Sequence, residues 1–313
     1  MRGAFIEALI ADASQETMLL IGDLGYSVVE KFGEKFPGNL LNCGVAEQNM
    51  TGMAAGLALE GFKVFTYSIA NFNTLRCLEQ IRNDVCYHNL DVTVVSVGAG
   101  FMYGSAGYSH HAVQDIGAMA ALPNMTLLLP GDPAEVKYCV EYALAHSGPK
   151  YLRIGKQASD AIERGNMAIG NCNLAVDRGS EFALLAVAGM LAEGGKVVEA
   201  LSAKGVDIDL LSIPVLTPWN MEPIAAFLRE YRSVFVLEDH VGTSGVGAIL
   251  STTLQEENVK IFSVALRPGF FGAIGDQDYL LGMQGLDGRS VEDKIAALLG
   301  KSQDSRLRAA RKP

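Results

Sequence analysis

The chain alternates between short apolar runs and longer stretches whose apolar residues recur at helical spacing. Residues 3–12 carry Phe5, Ile6, Leu9 and Ile10 at that spacing, and Met18–Ile21 is a compact apolar run followed by Gly22-Asp23-Leu24-Gly25. A second run, Leu40-Leu41, leads into Asn-Cys-Gly-Val-Ala-Glu-Gln-Asn-Met at 42–50. Met50, Met53, Ala54, Leu57 and Ala58 then predict a helix, in which Gly52 and Gly56 would allow close packing. Lys63–Ile69 predicts a strand, and Asn73–His88 an amphipathic helix with Leu75, Leu78, Ile81 and Val85 on one face. Beyond it the pattern predicts a buried strand at 91–97, a Gly-rich loop at 98–107, a short helix at 116–122 and a strand at 126–129. A helix at 133–146 and a strand at 151–154 close the unit. Continuously apolar strands separated by helices imply a parallel sheet covered on both faces.

A second α/β unit follows polar and Gly-rich punctuation that includes Gly165, Gly170, Asp177 and Gly179. This places a first domain at 1–157, a linker at 158–180 and a second domain at 181–300. Strands are expected at 182–188, 206–213, 234–238 and 260–265, with helices at 190–204 and 222–231 and a turn at 214–218. Gly242–Gly247 opens a further helix, and 290–299 forms a terminal one with Ser290 as N-cap. The basic tail 301–313 has no apolar face and is expected to be mobile. The expected fold class is α/β, as two three-layer domains with largely parallel sheets.

Composition narrows the function. The chain has 313 residues, 49% hydrophobic and 19% charged, with a formal net charge of −10, which argues against a nucleic-acid footprint. Five cysteines are scattered without a CxxC, as in a reducing compartment. With no signal-like start and no 18-residue apolar run, a cytoplasmic protein is expected.

Chemistry concentrates at a few positions. Glu47 stands among small and apolar residues at a helix start. Two roles stay open from the local pattern: an acid favoured by the helix dipole, or a carboxylate with a chemical task. The Gly-rich loops complete neither a GxGxxG nor a GxxxxGK[ST], and no GxSxG elbow exists. His110 and His111 are adjacent on a loop after a parallel strand, where α/β proteins bind ligands, so at most one of them faces a site. Arg153, at a strand end, is an anion site or a surface ion pair. Phe72 is ordinary core or a ring platform. Glu238-Asp239-His240 reads as a loop that caps the next helix.

Taken in order, the following stretches resemble the carboxyl-terminal two domains of transketolases, and more closely the second subunit of split bacterial transketolases. They are Gly22-Asp23-Leu24, Gly44-Val45-Ala46-Glu47-Gln48, Tyr67-Ser68-Ile69-Ala70-Asn71-Phe72 and Glu79-Gln80-Ile81-Arg82-Asn83-Asp84. Ser109-His110-His111, Leu122-Pro123-Asn124, Tyr151-Leu152-Arg153, Leu216-Thr217-Pro218 and Glu238-Asp239-His240 through Gly245-Val246-Gly247 complete the set, which spans roughly 1–300. The resemblance implies a thiamine-diphosphate enzyme that transfers a two-carbon ketol unit. Glu47 would bond a ring nitrogen of the cofactor's aminopyrimidine and drive its activation, a role suited to a half-buried glutamate with a raised pKa. Phe72 would stack on that ring, with Ile69 and Leu75 beside it and Asp23 near the thiazolium. His110 would contact the reacting hydroxyls and assist proton transfer. Arg2, Ser27 and Arg153 would hold the substrate's distal phosphate.

The family's diphosphate and Mg²⁺ site is a Gly-Asp-Gly…Asn motif in an amino-terminal domain, and no Gly-Asp-Gly occurs here. The resemblance therefore implies a partner chain bearing that motif, a chain inactive by itself, and a heterotetramer with two copies of each. Ala106 and Gly98 stand where transketolases carry an acid and many carry a histidine, which implies a modified, deoxy, branched or sulfonated sugar donor. Other implied readings are a subunit like deoxyxylulose-phosphate synthase or a 2-oxoacid dehydrogenase, or a non-catalytic paralogue.

Overall fold

The computed structural model describes residues 1–155, 162 and 170–309. The expected domain boundary at 157 and residues 158–161 and 163–169 of the expected linker lie outside the described residues. Six strands of the first half are β1 (Thr17–Ile21), β2 (Leu40–Asn42), β3 (Lys63–Ile69), β4 (Val92–Val97), β5 (Thr126–Leu128) and β6 (Lys150–Ile154). They pair in parallel in the order β5-β6-β4-β3-β1-β2. β4 and β6 are buried along their whole length. The Val residues of β4 and Leu152 and Ile154 of β6 suit strands enclosed on both faces. Helices α1 (Arg2–Asp12), α2 (Glu30–Lys35), α3 (Glu47–Leu59), α4 (Asp115–Ala120) and α5 (Pro133–Ala145) connect and cover the sheet.

The second half adds β7 (Asn173–Val176), β8 (Phe182–Ala186), β9 (Asp209–Ser212), β10 (Val215–Leu216), β11 (Ser233–Val241) and β12 (Lys260–Leu266). Its helices are α6 (Leu191–Ser202), α7 (Glu222–Leu228), α8 (Val246–Thr253), α9 (Gln277–Met283) and α10 (Gly288–Ala309). Five of these strands form a second sheet in the order β12-β11-β8-β9-β7. One hydrophobic core runs across both halves, from Leu20, Val64 and Val94 through Leu127 to Leu185, Leu211, Val234 and Leu250.

The structure departs from the pattern in instructive places. β7 lies inside the stretch read as linker and pairs antiparallel with β9. The expected turn at 214–218 contains β10, which leaves its own sheet and adds antiparallel to β5 of the first one. Two residues are too short a run for any periodicity to announce a strand. The terminal helix begins at Gly288 and not at Ser290, because the Asp287 carboxylate accepts from the Ser290 amide at 3.1 Å and from its hydroxyl at 2.7 Å. Its backbone continues as helix through 301–309; residues 310–313 lie outside the described set.

The amphipathic helix expected at 73–88 is broken into short turns, one of them a π-helical stretch at Ile81–Cys86. The break falls at Thr74, whose φ and ψ are −114° and −80°. Asn73 is pulled into the sheet, its amide donating to Val95 O at 2.9 Å, and the Thr74 hydroxyl donates to Ala70 O at 2.6 Å. Such side-chain bonds compete with a regular helix. The result turns Leu75 outward and brings Arg76 back over the carboxyl end of the sheet.

A candidate active site at the switch point of the first sheet

β2 lies beyond β1, whereas β3 and β4 lie on the other side of it, so the chain reverses direction across the sheet between β1 and β3. Ligands of open α/β sheets bind outside the carboxyl ends of strands at such a point. Three segments meet there: Gly22-Asp23 after β1, Glu47 at the first turn of α3, and Ser68-Ile69 at the end of β3. Gly22 makes the meeting possible. A Cβ there would lie 3.0 Å from Ser68 Oγ and 3.5 Å from Glu47 Cγ.

Glu47 is 1% exposed, so it is fully buried where half-burial was expected. Its Oε1 accepts from the Ser68 hydroxyl at 2.9 Å and its Oε2 from the Arg76 guanidinium at 2.8 Å. The Glu47 carbonyl accepts from Thr51 Oγ1 at 2.9 Å, which anchors the first turn. A buried carboxylate needs donors of this kind. Arg76 also lies 4.3 Å above the centroid of the half-buried Phe72 ring. The His110 ring meets the Phe72 ring edge-on at 5.1 Å. The structure thus brings Glu47, Phe72 and His110 together around Arg76, a residue that no sequence motif singled out.

The histidine loop is held from two sides. Asn71 donates to Ser109 O at 3.0 Å and to His111 O at 2.9 Å, tying the loop to the turn that carries Phe72. On the other side Phe101 packs against Phe271 at 5.5 Å, and Tyr108 against Phe270 at 5.1 Å. The second half of the chain therefore buttresses the loop. The Ser109 hydroxyl and His110 Nδ1 share a 3.0 Å hydrogen bond, which leaves Nε2 as the nitrogen able to serve a hydroxyl. His111 is buried beside Phe101, and burial pushes its pKa below the ordinary histidine value. The two histidines do point differently, and His110 is the one that reaches the site.

Gly98 has φ +86°, and a side chain there would run into the Tyr103 ring, whose nearest carbons stand 2.0 and 2.1 Å from the Cβ position. Tyr103 thus fills the place of the side chain that Gly98 lacks, and its ring lies 6.2 Å from that of His110. Ala106 is exposed on the same loop.

The remaining residues divide into two groups. Ile69 is half-buried at the end of β3, and Leu75 is 40% exposed. Asp23, at φ +55°, accepts from Asn42 at 3.0 Å and from the Tyr26 hydroxyl at 2.9 Å. The Asn42 bond, then the Tyr26 bond, holds its carboxyl below the usual range. Ser27 is exposed at φ +63°, its amide donating to Glu30 at 2.9 Å. Arg2 lies beside the Tyr67 and Tyr103 phenols. Burial raises Tyr67 to about 12 and also raises Tyr103, and the charge of Arg2 opposes both shifts.

Arg153 is not brought to this surface. It is fully buried, donating to Asp115 at 2.8 Å, to Asp239 at 2.8 Å and to Ala112 O at 3.1 Å. Burial by itself would lower its pKa, but the Asp115 and Asp239 carboxylates hold it raised. Tyr151 donates to the same Asp115, and Asp239 comes from β11, so the cluster joins the two halves. Glu238-Asp239-His240 lies on the buried β11 strand and not on a loop. Glu238 does cap the next helix, accepting from Val246 N at 2.8 Å and Gly247 N at 3.1 Å.

A protein of two α/β domains, with a buried acid at the switch point and a histidine loop over it, belongs to a known class. Models of two families match: transketolase, pyrimidine binding domain, over residues 1–160, and transketolase, C-terminal domain, over 170–291. The chain belongs to the transketolase family and has the make-up of the second subunit of a split transketolase. It is 29% identical to an apulose-4-phosphate transketolase subunit of Actinobacillus succinogenes, over 86% of this chain and 88% of that one. It is 28% identical to the 6-deoxy-6-sulfo-D-fructose transketolase subunit SqwH of Clostridium sp. strain MSTE9, over 93% and 92%. A solved split-gene transketolase, an inactive β4 tetramer, superposes with a TM-score of 0.83 at 28% identity, covering 95% of this chain and 96% of that one. The family depends on thiamine diphosphate. The residues present fit its aminopyrimidine: a buried carboxyl as ring-nitrogen partner and a half-buried phenyl face next to it.

Proposed function

We propose that this chain is the beta subunit of a thiamine-diphosphate-dependent transketolase, which moves a two-carbon ketol unit from an anionic ketose to an aldose. The observation that carries this reading is the Glu47 carboxyl, buried at the switch point with Phe72 and His110 beside it. When bound, thiamine diphosphate supplies a nucleophilic carbon and an electron sink. Glu47 bonds the aminopyrimidine nitrogen, and Ser68 holds Glu47 in place. Phe72 would hold the ring, with Ile69, Leu75 and Asp23 as further residues that would contact the cofactor. His110 takes and returns the proton of a sugar hydroxyl through Nε2, its other nitrogen being held by Ser109. Arg2 and Ser27 receive the sugar's distal anion. Arg153, expected there too, is held away by Asp115 and Asp239.

The diphosphate and Mg²⁺ are held by a partner chain with a Gly-Asp-Gly…Asn motif, and two copies of each chain form the working enzyme. Nothing in the sequence reads Gly-Asp-Gly. The rim of the site also suits a partner: Val45 is 72% exposed, Leu41 37% and Met53 36%. A Cβ placed at Gly52 or Gly56 on α3, both expected to permit close packing, would meet nothing within 4 Å beyond the helix's own backbone, which leaves their face open to another chain.

The donor is a modified ketose. Ala106 offers no carboxylate to a donor hydroxyl, and Tyr103 fills the space at Gly98. The names of the two relatives, for apulose 4-phosphate and 6-deoxy-6-sulfo-D-fructose, support this choice. The test is co-purification with the product of a neighbouring gene and a cofactor-dependent screen of donor ketoses. Transfer from a branched, deoxy or sulfonated ketose is expected. Xylulose 5-phosphate as the best donor by kcat/KM overturns the donor assignment. No cofactor-dependent transfer from any ketose overturns the whole reading.

A further inference from the structure

We infer that Arg76 is a latch: it occupies the place of the aminopyrimidine ring in the chain by itself and leaves when a ring binds. The inference rests on the reading of Glu47 and Phe72 as the two ring contacts. Any group that serves both must hydrogen-bond the Glu47 carboxyl and lie over the Phe72 face. Arg76 does both at once, with an N–H donor nitrogen 2.8 Å from Glu47 Oε2 and its central carbon 4.3 Å above the Phe72 centroid.

The match is chemical as well as spatial. A guanidinium is a planar, delocalised cation that donates to carboxylates and stacks on aromatic faces. An aminopyrimidine whose ring nitrogen shares the proton of the Glu47 carboxyl presents the same flat, nitrogen-edged surface. The two cannot share one carboxylate oxygen and one phenyl face. Arg76 has room to leave, because its side chain is 43% exposed while Glu47 is 1% exposed. The Ser68 hydroxyl, on Oε1, stays behind to hold the carboxyl during the exchange.

The arrangement also explains how a buried acid is tolerated before the cofactor arrives. A buried carboxylate stripped of its cationic partner is strongly destabilising. Arg76 supplies that partner until a ring does.

The test uses free thiamine, which carries the aminopyrimidine without the diphosphate, titrated calorimetrically into the full chain alone. Arg76→Ala is expected to bind thiamine at least about tenfold more tightly than wild type, with Arg76→Lys in between. Adding Glu47→Ala to Arg76→Ala is expected to abolish binding. Heated without ligand, Arg76→Ala is expected to melt below wild type, and thiamine is expected to recover part of the loss. Equal or weaker binding by Arg76→Ala overturns the latch and makes Arg76 a support for the ring. Absence of binding to every variant overturns it too. Thiamine diphosphate binding by the assembled two-chain enzyme then decides separately whether the cofactor reading stands.

Discussion

Arg76 and Arg153 each pair with carboxylates from other parts of the chain, and the pairings serve opposite ends. Arg76 reaches Glu47 from an irregular turn and keeps 43% of its side chain in solvent. Arg153 is sealed on β6 between Asp115 and Asp239, with no exposure at all. The same chemistry gives a replaceable contact in one place and a permanent joint in the other. What decides is water. An arginine at the rim can be resolvated when it lets go, whereas one in the seam has nothing to exchange its acids for.

The widest gap between the two regions should open on Glu47→Ala. In the assembled enzyme kcat/KM with the best donor ketose is expected to fall by at least about a thousandfold, roughly 4 kcal/mol of transition-state stabilisation. The stability of this variant is expected to change far less. Unchanged turnover would remove Glu47 from the mechanism. Arg153→Met should show the reverse profile. It leaves Asp115 and Asp239 buried without their cation, so urea unfolding is expected to report a loss of about 3–5 kcal/mol. A loss below about 1 kcal/mol would show that water enters the seam, and the contrast would collapse.

The seam also carries a titration. Burial raises Glu238 to about 7, against bonds from Gly247 and Val246 that favour the charged form. A carboxyl raised in the folded state stabilises the fold fully below its unfolded pKa. That contribution is lost as pH rises from about 4.5 through about 7, about 3 kcal/mol at ~1.4 kcal/mol per unit. Glu238→Gln is expected to flatten this part of the stability profile. An equally steep profile would assign the slope to another group. Smallest is Gly98→Ala, which sets a side chain at φ +86° against the Tyr103 ring. About 1–3 kcal/mol of stability should be lost, and near-ultraviolet dichroism should register the displaced tyrosine. An unaltered spectrum would mean that Tyr103 does not depend on that space.

Much of this was legible along the chain. The strands of the first sheet are short apolar runs, and all the central ones lie where the pattern predicts. Glu47, Phe72 and His110 were found from ordered motifs, and the structure gathers them within one crevice. Nothing local marks Arg76, and Ser68, though inside a motif, carries no sign of what it bonds. Their partner is a side chain 29 residues away for Arg76 and 21 for Ser68. Tyr103 was hidden for a similar reason: its role is to fill a volume left by Gly98, and volumes are not written in periodicity. Arg153 was placed at a strand end correctly, but whether a strand end is rim or seam depends on what a second domain lays over it.

Periodicity, glycine placement and the ordered motifs by themselves determined two α/β units, a transketolase-type chain and an acid at the head of α3. These follow from local preferences and from burial of alternating faces, which a linear pattern records. Only the tertiary structure decided that Glu47 is fully enclosed, that Arg76 covers both it and Phe72, and that Arg153 belongs to the joint between domains. Those outcomes depend on which charges share a space closed to water, and the chain sets that only once both sheets have packed.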